Sequence, residues 1–200
     1  MRRRIINNDM KDKILKVTLE IIDEKDGVEN LRLRDITRRA GCSAPNIYNY
    51  FEDMEDLLNH ARAIAAKYFL KPLEGDLAKN PEERFIKITE RMIQAVLRKP
   101  AWYRFVYFRR QSITKERLDR NVAGTLGFDL TQLMIEISGN TLNREEALEV
   151  RRVLHSYLHG EMCKLASNMF PHDESMKYQK GIITHLQILF DRVVKFRLKN

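Results

Sequence analysis

Apolar residues in this chain recur three and four positions apart almost from end to end, and nowhere do they alternate with polar ones over the length of a strand. A period near 3.6 is one face of an α-helix, so the pattern confines the chain to helices packed on helices. Ile14, Leu15, Thr18, Ile21 and Ile22 form the first stripe, with Asp9 placed to cap its start and Gly27 to end it in a left-handed turn. Leu57, Leu58, Ala61, Ile64, Ala65, Tyr68 and Phe69 form another, between Asp53 as N-cap and Pro72. Asn80-Pro81-Glu82-Glu83 opens a third helix with a capping Asn, a Pro tolerated in the first turn and acids at the positive end of the dipole. Phe85, Ile88, Met92, Val96 and Leu97 are its apolar face, and Pro100 stops it. Residues 115–138 read as helical with a break at Gly124 and Gly127, and Gly139-Asn140 reads as a turn. Asn143 with Glu146 has the spacing of a capping box ahead of Val150, Leu154, Tyr157, Leu158 and Leu165, a stripe that runs up to Pro171. Ile182, Ile183, Leu186, Leu189, Phe190, Val193 and Val194 mark the last helix. The expected class is all-α, with about eight or nine helices.

The 200 residues are 44% hydrophobic and 32% charged, a globular composition. No apolar run approaches the ~18 residues of a membrane span. Met1-Arg2-Arg3-Arg4 is followed by no apolar segment, so no export signal is read and a cytoplasmic location is expected. Cys42 and Cys163 are expected as packed thiols. The net charge of +8 favours a polyanionic partner, but its distribution does not single out DNA. Residues 1–60 hold 11 Lys and Arg against 12 Asp and Glu, whereas residues 61–200 hold 25 against 16. No G-x-S-x-G, Gly-rich phosphate loop or Cys-x-x-Cys is present, so neither an enzyme nor a cofactor is expected.

Function is carried by residues 31–58, LRLRDITRRAGCSAPNIYNYFEDMEDLL. Arg34 to Ala40 is one short helix with Ile36 inward, and Gly41 permits the left-handed turn that reverses the chain. Ser43 is a good N-cap, and Pro45 is tolerated in the first turn of the next helix. Ile47 and Phe51, four apart, pack inward, which leaves Ala44, Pro45, Asn46, Tyr48, Asn49 and Tyr50 to a partner. Two short helices about a Gly turn make a helix-turn-helix. Asn side chains read base edges, and Tyr hydroxyls bond phosphates.

On Arg34-Asp35-Ile36, Ala40-Gly41, Ser43, Ile47-Tyr48, Tyr50-Phe51 and Leu57-Leu58, the stretch from about 10 to 60 resembles the DNA-binding domain of the TetR family of bacterial transcription regulators. Beyond it, helix number and order and His159-Gly160 in the penultimate helix are similar. The resemblance implies a DNA-binding domain over 1–53 and an effector-binding and dimerisation domain over 54–200. It implies a ligand-responsive regulator, most often a repressor, that binds a near-palindromic duplex operator as a homodimer. The helices near 143–169 and 174–198 of two chains would form a four-helix bundle, with Tyr157, Leu158, Leu186, Phe190 and Val193 as interface candidates. A small, largely apolar effector would sit among the intervening helices and move the helix near 54–71. Two departures matter. Arg32-Leu33 stand where the family pattern has a Thr or Ser, so Arg32 replaces a hydroxyl near the backbone. Met54 stands where the pattern has Lys, inside the acidic run Glu52-Asp53-Met54-Glu55-Asp56.

Other features carry a sharp and a plain reading. Arg2-Arg3-Arg4 is a minor-groove arm or a frayed terminus. Cys42 is a redox sensor or, better, a small packing residue. His155 and His159 have metal-binding spacing but no third ligand, so no metal is expected. Trp102, Tyr103, Phe105, Tyr107 and Phe108 concentrate five of the chain's 17 aromatics, as a wall of the effector pocket or as plain core. Arg104, Arg109 and Arg110 beside them serve an anionic effector or face solvent. The rival to a DNA-binding regulator is an all-helical ligand-binding or membrane-surface module, whereas the regulator reading involves no membrane.

Overall fold

A computed structural model describes residues 8–71, 79–108, 130–167 and 175–197. Every regular element among them is a helix: α1 (Asn8–Glu24), α2 (Leu33–Ala40), α3 (Ala44–Ile47), α4 (Met54–Leu70), α5 (Pro81–Arg98), α6 (Pro100–Tyr107), α7 (Leu130–Ile137), α8 (Arg144–Ala166) and α9 (Ser175–Arg197). Arg2 to Arg4, Pro72, Arg109, Arg110, Gly124, Gly127 and Pro171 lie outside the described residues.

The chain divides into two compact units, one drawn from Met1–Tyr68 and Lys99–Val122, the other from Phe69–Arg98 and Ala123–Asn200. The first therefore takes in most of α4 and all of α6 besides α1 to α3, where the sequence suggests a boundary between residues 53 and 54. Side chains of α6 explain part of that. Trp102 Nε1 donates to Leu19 O at 3.0 Å, Lys99 Nζ reaches Asp23 at 2.6 Å, and Arg104 donates to Asp26 O at 2.8 Å. Ile14, Leu15, Ile21 and Ile22 of α1 are buried with Ile36, Ile47, Phe51 and Leu57. Thr18 sits inside this stripe because its hydroxyl donates to Ile14 O at 2.8 Å, which satisfies it without water.

α1 does not end as its glycine suggests. The left-handed residue is Asp26, with φ 56°, and Gly27 follows it. Gly27 N–H returns to Ile22 O at 2.9 Å and Asp26 N–H to Asp23 O at 3.2 Å, the paired bonds of a Schellman end. Asp is among the few non-glycine residues that adopt this region cheaply. The turn at Gly139-Asn140 is left-handed at both residues, with φ 67° and 61°.

In the second unit α5, α7, α8 and α9 pack on one another around Ile88, Ile93, Leu133, Met134, Val150, Leu154 and Leu186. The start of α8 is a full capping box. Asn143 Oδ1 accepts from Glu145 N–H at 3.0 Å and Glu146 N–H at 3.1 Å, and Asn143 N–H donates to Glu146 Oε2 at 2.8 Å. Asn80 caps α5 in the same way, its Oδ1 accepting from Glu83 N–H at 3.1 Å. Arg84 on α5 meets Glu136 on α7 at 3.1 Å. Of the interface candidates, Leu158, Leu186 and Phe190 are buried within their own unit, while Tyr157 and Val193 are half-buried. Among the described residues of α8 and α9, the exposed large apolar side chains are Val153 and Ile188.

Candidate nucleic-acid interface

Local sequence sets each joint of the α2–α3 hairpin. Arg32, extended at φ −121° and ψ 141°, precedes α2 and makes no side-chain cap bond. At the other end Gly41 is left-handed, with φ 71° and ψ 39°, and Gly41 N–H and Cys42 N–H both return to Thr37 O. A Cβ added at Gly41 meets only Lys13 Nζ, at 3.8 Å, so glycine is required there for its backbone and not for space. Ser43 occupies the N-cap position of α3 with extended geometry, but its hydroxyl makes no cap bond. The regular part of α3 is a single turn of 4 residues, opened by Pro45 and continued as turns through Tyr50. Ile47 and Phe51 anchor it from below, exposed by only 1% and 2%. Lys11 of α1 lies over the Phe51 ring, 5.4 Å from its centroid.

What remains points away from the core. Pro45, Tyr48 and Asn49 are exposed, Ala44, Asn46 and Tyr50 are half-buried, and none of the six is buried. Asn49 Nδ2 donates to Asn46 Oδ1 at 3.2 Å, so the two amides form one unit. Ser43, Arg32 and Arg34 are also exposed. Sequence reasoning passed over Arg38, which follows Arg34 by one turn on α2 and is equally open, and the i, i+4 spacing was the available signal. Beneath them Asp35 is tied to Lys25 at 2.7 Å. That hydrogen bond from Lys25 holds the Asp35 carboxyl below its ordinary value. A bidentate pair, Arg39 to Glu24 at 2.6 and 2.7 Å, fastens α2 to α1. Burial pushes the Cys42 thiol up, which keeps it protonated and unlike a redox-reactive thiolate.

The start of α4 is closed by acids. Asp53 Oδ1 accepts from Asp56 N–H at 2.8 Å, and Asp56 Oδ2 accepts from Glu52 N–H at 3.0 Å. The Asp53 cap is the one the sequence suggests, and Met54 beside it is half-buried.

The aromatics of α6 stay with the first unit. Tyr103 and Phe105 are buried, Trp102 is half-buried against Tyr68, and Tyr107 and Phe108 are exposed. Arg104 is committed to Asp26. An apolar cavity of about 50 Å³ lies in the second unit, lined by residues of α5, α7, α8 and α9 such as Phe85, Ile88, Met92, Met134, Leu154 and Leu186. In sequence these read only as core stripe, and nothing in their spacing distinguishes a cavity wall from a filled interior. His155 and His159 stack at 5.9 Å, and His159 meets Cys163 at 3.7 Å. Among the described residues no group of three metal-binding side chains forms, and no helix is long and apolar enough to cross a membrane.

Residues 14–61 match the N-terminal domain of "Bacterial regulatory proteins, tetR family". No curated protein sequence matches the chain. Among solved structures, a TetR-like transcriptional regulator from Rhodococcus sp. RHA1 is 14% identical at TM-score 0.61, with 98% of each chain covered. A tetR-family transcriptional regulator from Streptomyces coelicolor is 11% identical at TM-score 0.66, covering 94% of this chain and 89% of that one. A TetR variant from Acinetobacter baumannii AYE, solved in complex with minocycline, is 15% identical at TM-score 0.62, covering 94% and 97%. At these identities the structures establish the shared fold, and the sequence match establishes the helix-turn-helix. Together they identify residues 14–61 as a helix-turn-helix domain of the kind found in the tetR family of bacterial regulatory proteins, in a chain that shares the fold of solved TetR-like regulators.

Proposed function

We propose that the protein is a homodimeric repressor that acts in the cytoplasm, binds a near-palindromic operator through α3 and is released by a small, largely apolar effector. The observation that carries this reading is the one-turn helix α3, fixed from below by Ile47 and Phe51 with Tyr48 and Asn49 turned outward. In this reading Asn46 and Asn49 read base edges in the major groove, aided by the small outward residues Ala44 and Pro45. Tyr48, Tyr50, Ser43, Arg32 and Arg34 position the phosphate backbone. Two subunits then set two half-sites about one helical turn, or a multiple, apart. The effector compartment is the cavity of the second unit, since its wall is apolar and lies within one packed body. Effector and operator would weaken each other by the same coupling free energy.

Selection of bound fragments from the source genome tests the reading. It should return an inverted repeat, and Asn46→Ala or Asn49→Ala should relax base preference by ~1–3 kcal/mol per lost base contact. Tyr48→Ala and Tyr50→Ala should weaken binding to every sequence alike. Bound fragments without a repeat would defeat the proposal, as would capture by anionic vesicles in preference to duplex DNA.

A further inference from the structure

Four consecutive residues at the end of α1 each hold a charged partner on another element of the first unit. Asp23 takes Lys99 Nζ at 2.6 Å, and Asp26 takes Arg104, whose guanidinium also donates to Asp26 O at 2.8 Å. Lys99 stands at the N-cap position of α6 and Arg104 in its second half. Glu24 and Lys25, between the two aspartates, turn instead to α2. Glu24 accepts from Arg39 in the last turn of α2 at 2.6 and 2.7 Å. Lys25 donates to Asp35 in the first turn at 2.7 Å and to Asn30 O at 2.8 Å. One four-residue segment therefore holds α2 at both ends and α6 at two points. The return bonds of Asp26 and Gly27 to Asp23 O and Ile22 O fix the backbone that carries these side chains.

An isolated surface ion pair contributes little, because two long side chains must be ordered to make it. Here the ordering is shared along one fixed stretch of backbone, one pair is bidentate, and the Arg104 side chain is only 19% exposed. The apolar hold on α2 is narrow by comparison. Of its 8 residues only Ile36 and Ala40 are buried, which sets the depth of the helix but leaves its direction to the pairs at its two ends. That direction passes on to α3, since the left-handed Gly41 joins the two helices rigidly. We infer that Lys99 and Arg104 are positioning residues for the nucleic-acid interface, bracing residues 23–26 from α6 and through them the angle at which α2 presents α3. A braced α2 needs less ordering when α3 docks, so the brace raises affinity without touching the ligand. The inference rests on the proposed reading of α3 as the element that meets DNA.

Amide hydrogen exchange of the full-length protein carrying both Lys99→Gln and Arg104→Gln tests the brace. The amides of α2 should exchange at least about threefold faster than in wild type, with those of α4 and α8 unchanged. Asp23→Lys should also speed α2, and adding Lys99→Asp, which restores the pair with its charges reversed, should slow it again. An α2 that exchanges as in wild type, an α4 that accelerates equally, or a reversed pair that fails to rescue overturns the inference. Binding to the inverted-repeat fragment recovered by selection from the source genome gives the second readout. The Lys99→Gln/Arg104→Gln protein should bind at least about threefold more weakly, with an unchanged slope of log K against log salt, because neither residue meets a phosphate. Unchanged affinity, or a slope flattened by ~0.9 or more, overturns the inference while the functional reading stands. Wild-type protein that binds no duplex defeats the functional reading itself, and the inference falls with it.

Discussion

Met54 opens α4 between two carboxylates, of which Asp53 takes the Asp56 N–H of the first turn and Asp56 takes the Glu52 N–H just ahead of the helix. A helix start with open N–H groups draws in a phosphate, whereas one closed by Asp53 and Asp56 repels it. Met54→Lys adds a cation at this edge, and the slope of log K against log salt should steepen by ~0.9 if α4 meets the backbone. Titrations of both proteins at several salt concentrations measure it, and an unchanged slope places residue 54 away from DNA. Operator preference should hardly change, because phosphate contacts position without specifying. Asp35 offers a pH test of the same domain. Its folded pKa is depressed by Lys25, so its contribution is present above the unfolded value, about 3.9, and is lost as pH falls through the folded one. Asp35→Asn should therefore melt below wild type at pH 7, and the difference should begin to shrink as pH falls below about 4 and vanish once pH is below the folded pKa. Differential scanning calorimetry across pH reads both limits. Single residues with one dominant local physics, such as the left-handed Gly41, were legible in the sequence. The Lys25–Asp35 and Arg104–Asp26 pairs were not, since their partners are brought together only by the fold.

Helix ends were the elements most open to sequence reasoning, because a cap is a contact over three residues. Asn80, Asn143 with Glu146, and Asp53 all do what their spacing suggests. Asn143→Ala should lower stability by ~1 kcal/mol, read as a drop in the denaturation midpoint. Gly41→Ala should cost about 1–2 kcal/mol through backbone conformation alone, since the added methyl has room, and Gly41→Asn should cost less. Two ends departed from expectation for local reasons. α1 closes one residue early, on Asp26, because Asp tolerates the left-handed region and leaves Gly27 to make the longer return bond. Ser43 stands at the cap position of α3 without bonding, and the helix it opens lasts one turn. Composition signals a helix start well, but it does not signal how soon the chain turns away.

At the scale of the molecule, periodicity revealed which faces are apolar but not which body each face serves. The apolar residues of α9 are too many for one narrow stripe, and burial sorts them. Ile182, Leu186, Phe190 and Val194 are buried within the unit, Ile183, Leu189 and Val193 are half-buried, and among the described residues of the helix Ile188 is the exposed large apolar side chain. Val153 is the matching outward residue on α8. If the proposed dimer forms through these two helices, Ile188→Glu should yield folded monomers, with the melt of the single subunit preserved. Phe190→Glu should instead unfold the protein, because it buries an unpaired charge in a packed interior. Sedimentation with circular dichroism distinguishes the two outcomes, and a folded dimeric Ile188→Glu variant would move the interface elsewhere. The density of aromatics at 102–108 left two readings open, a pocket wall or plain core. Clustering in sequence does not say whether rings bound a cavity, and here α6 divides them between the first unit's core and its surface.

The brevity of α3 bears on how such a regulator acquires and loses targets. One helical turn rises about 6 Å, less than two base-pair steps of ~3.4 Å. If the proposed dimer reads two half-sites, then even with Tyr48 and Asn49 adding one more the pair would specify about six base pairs, a word that random sequence spells roughly once in 4,000 positions. A vocabulary this short makes recruitment easy, because a single point change upstream of a gene creates or erases a half-site. Fidelity must then come from the distance between two short words, and insertions or deletions between them should be the commoner way for a promoter to leave the regulon.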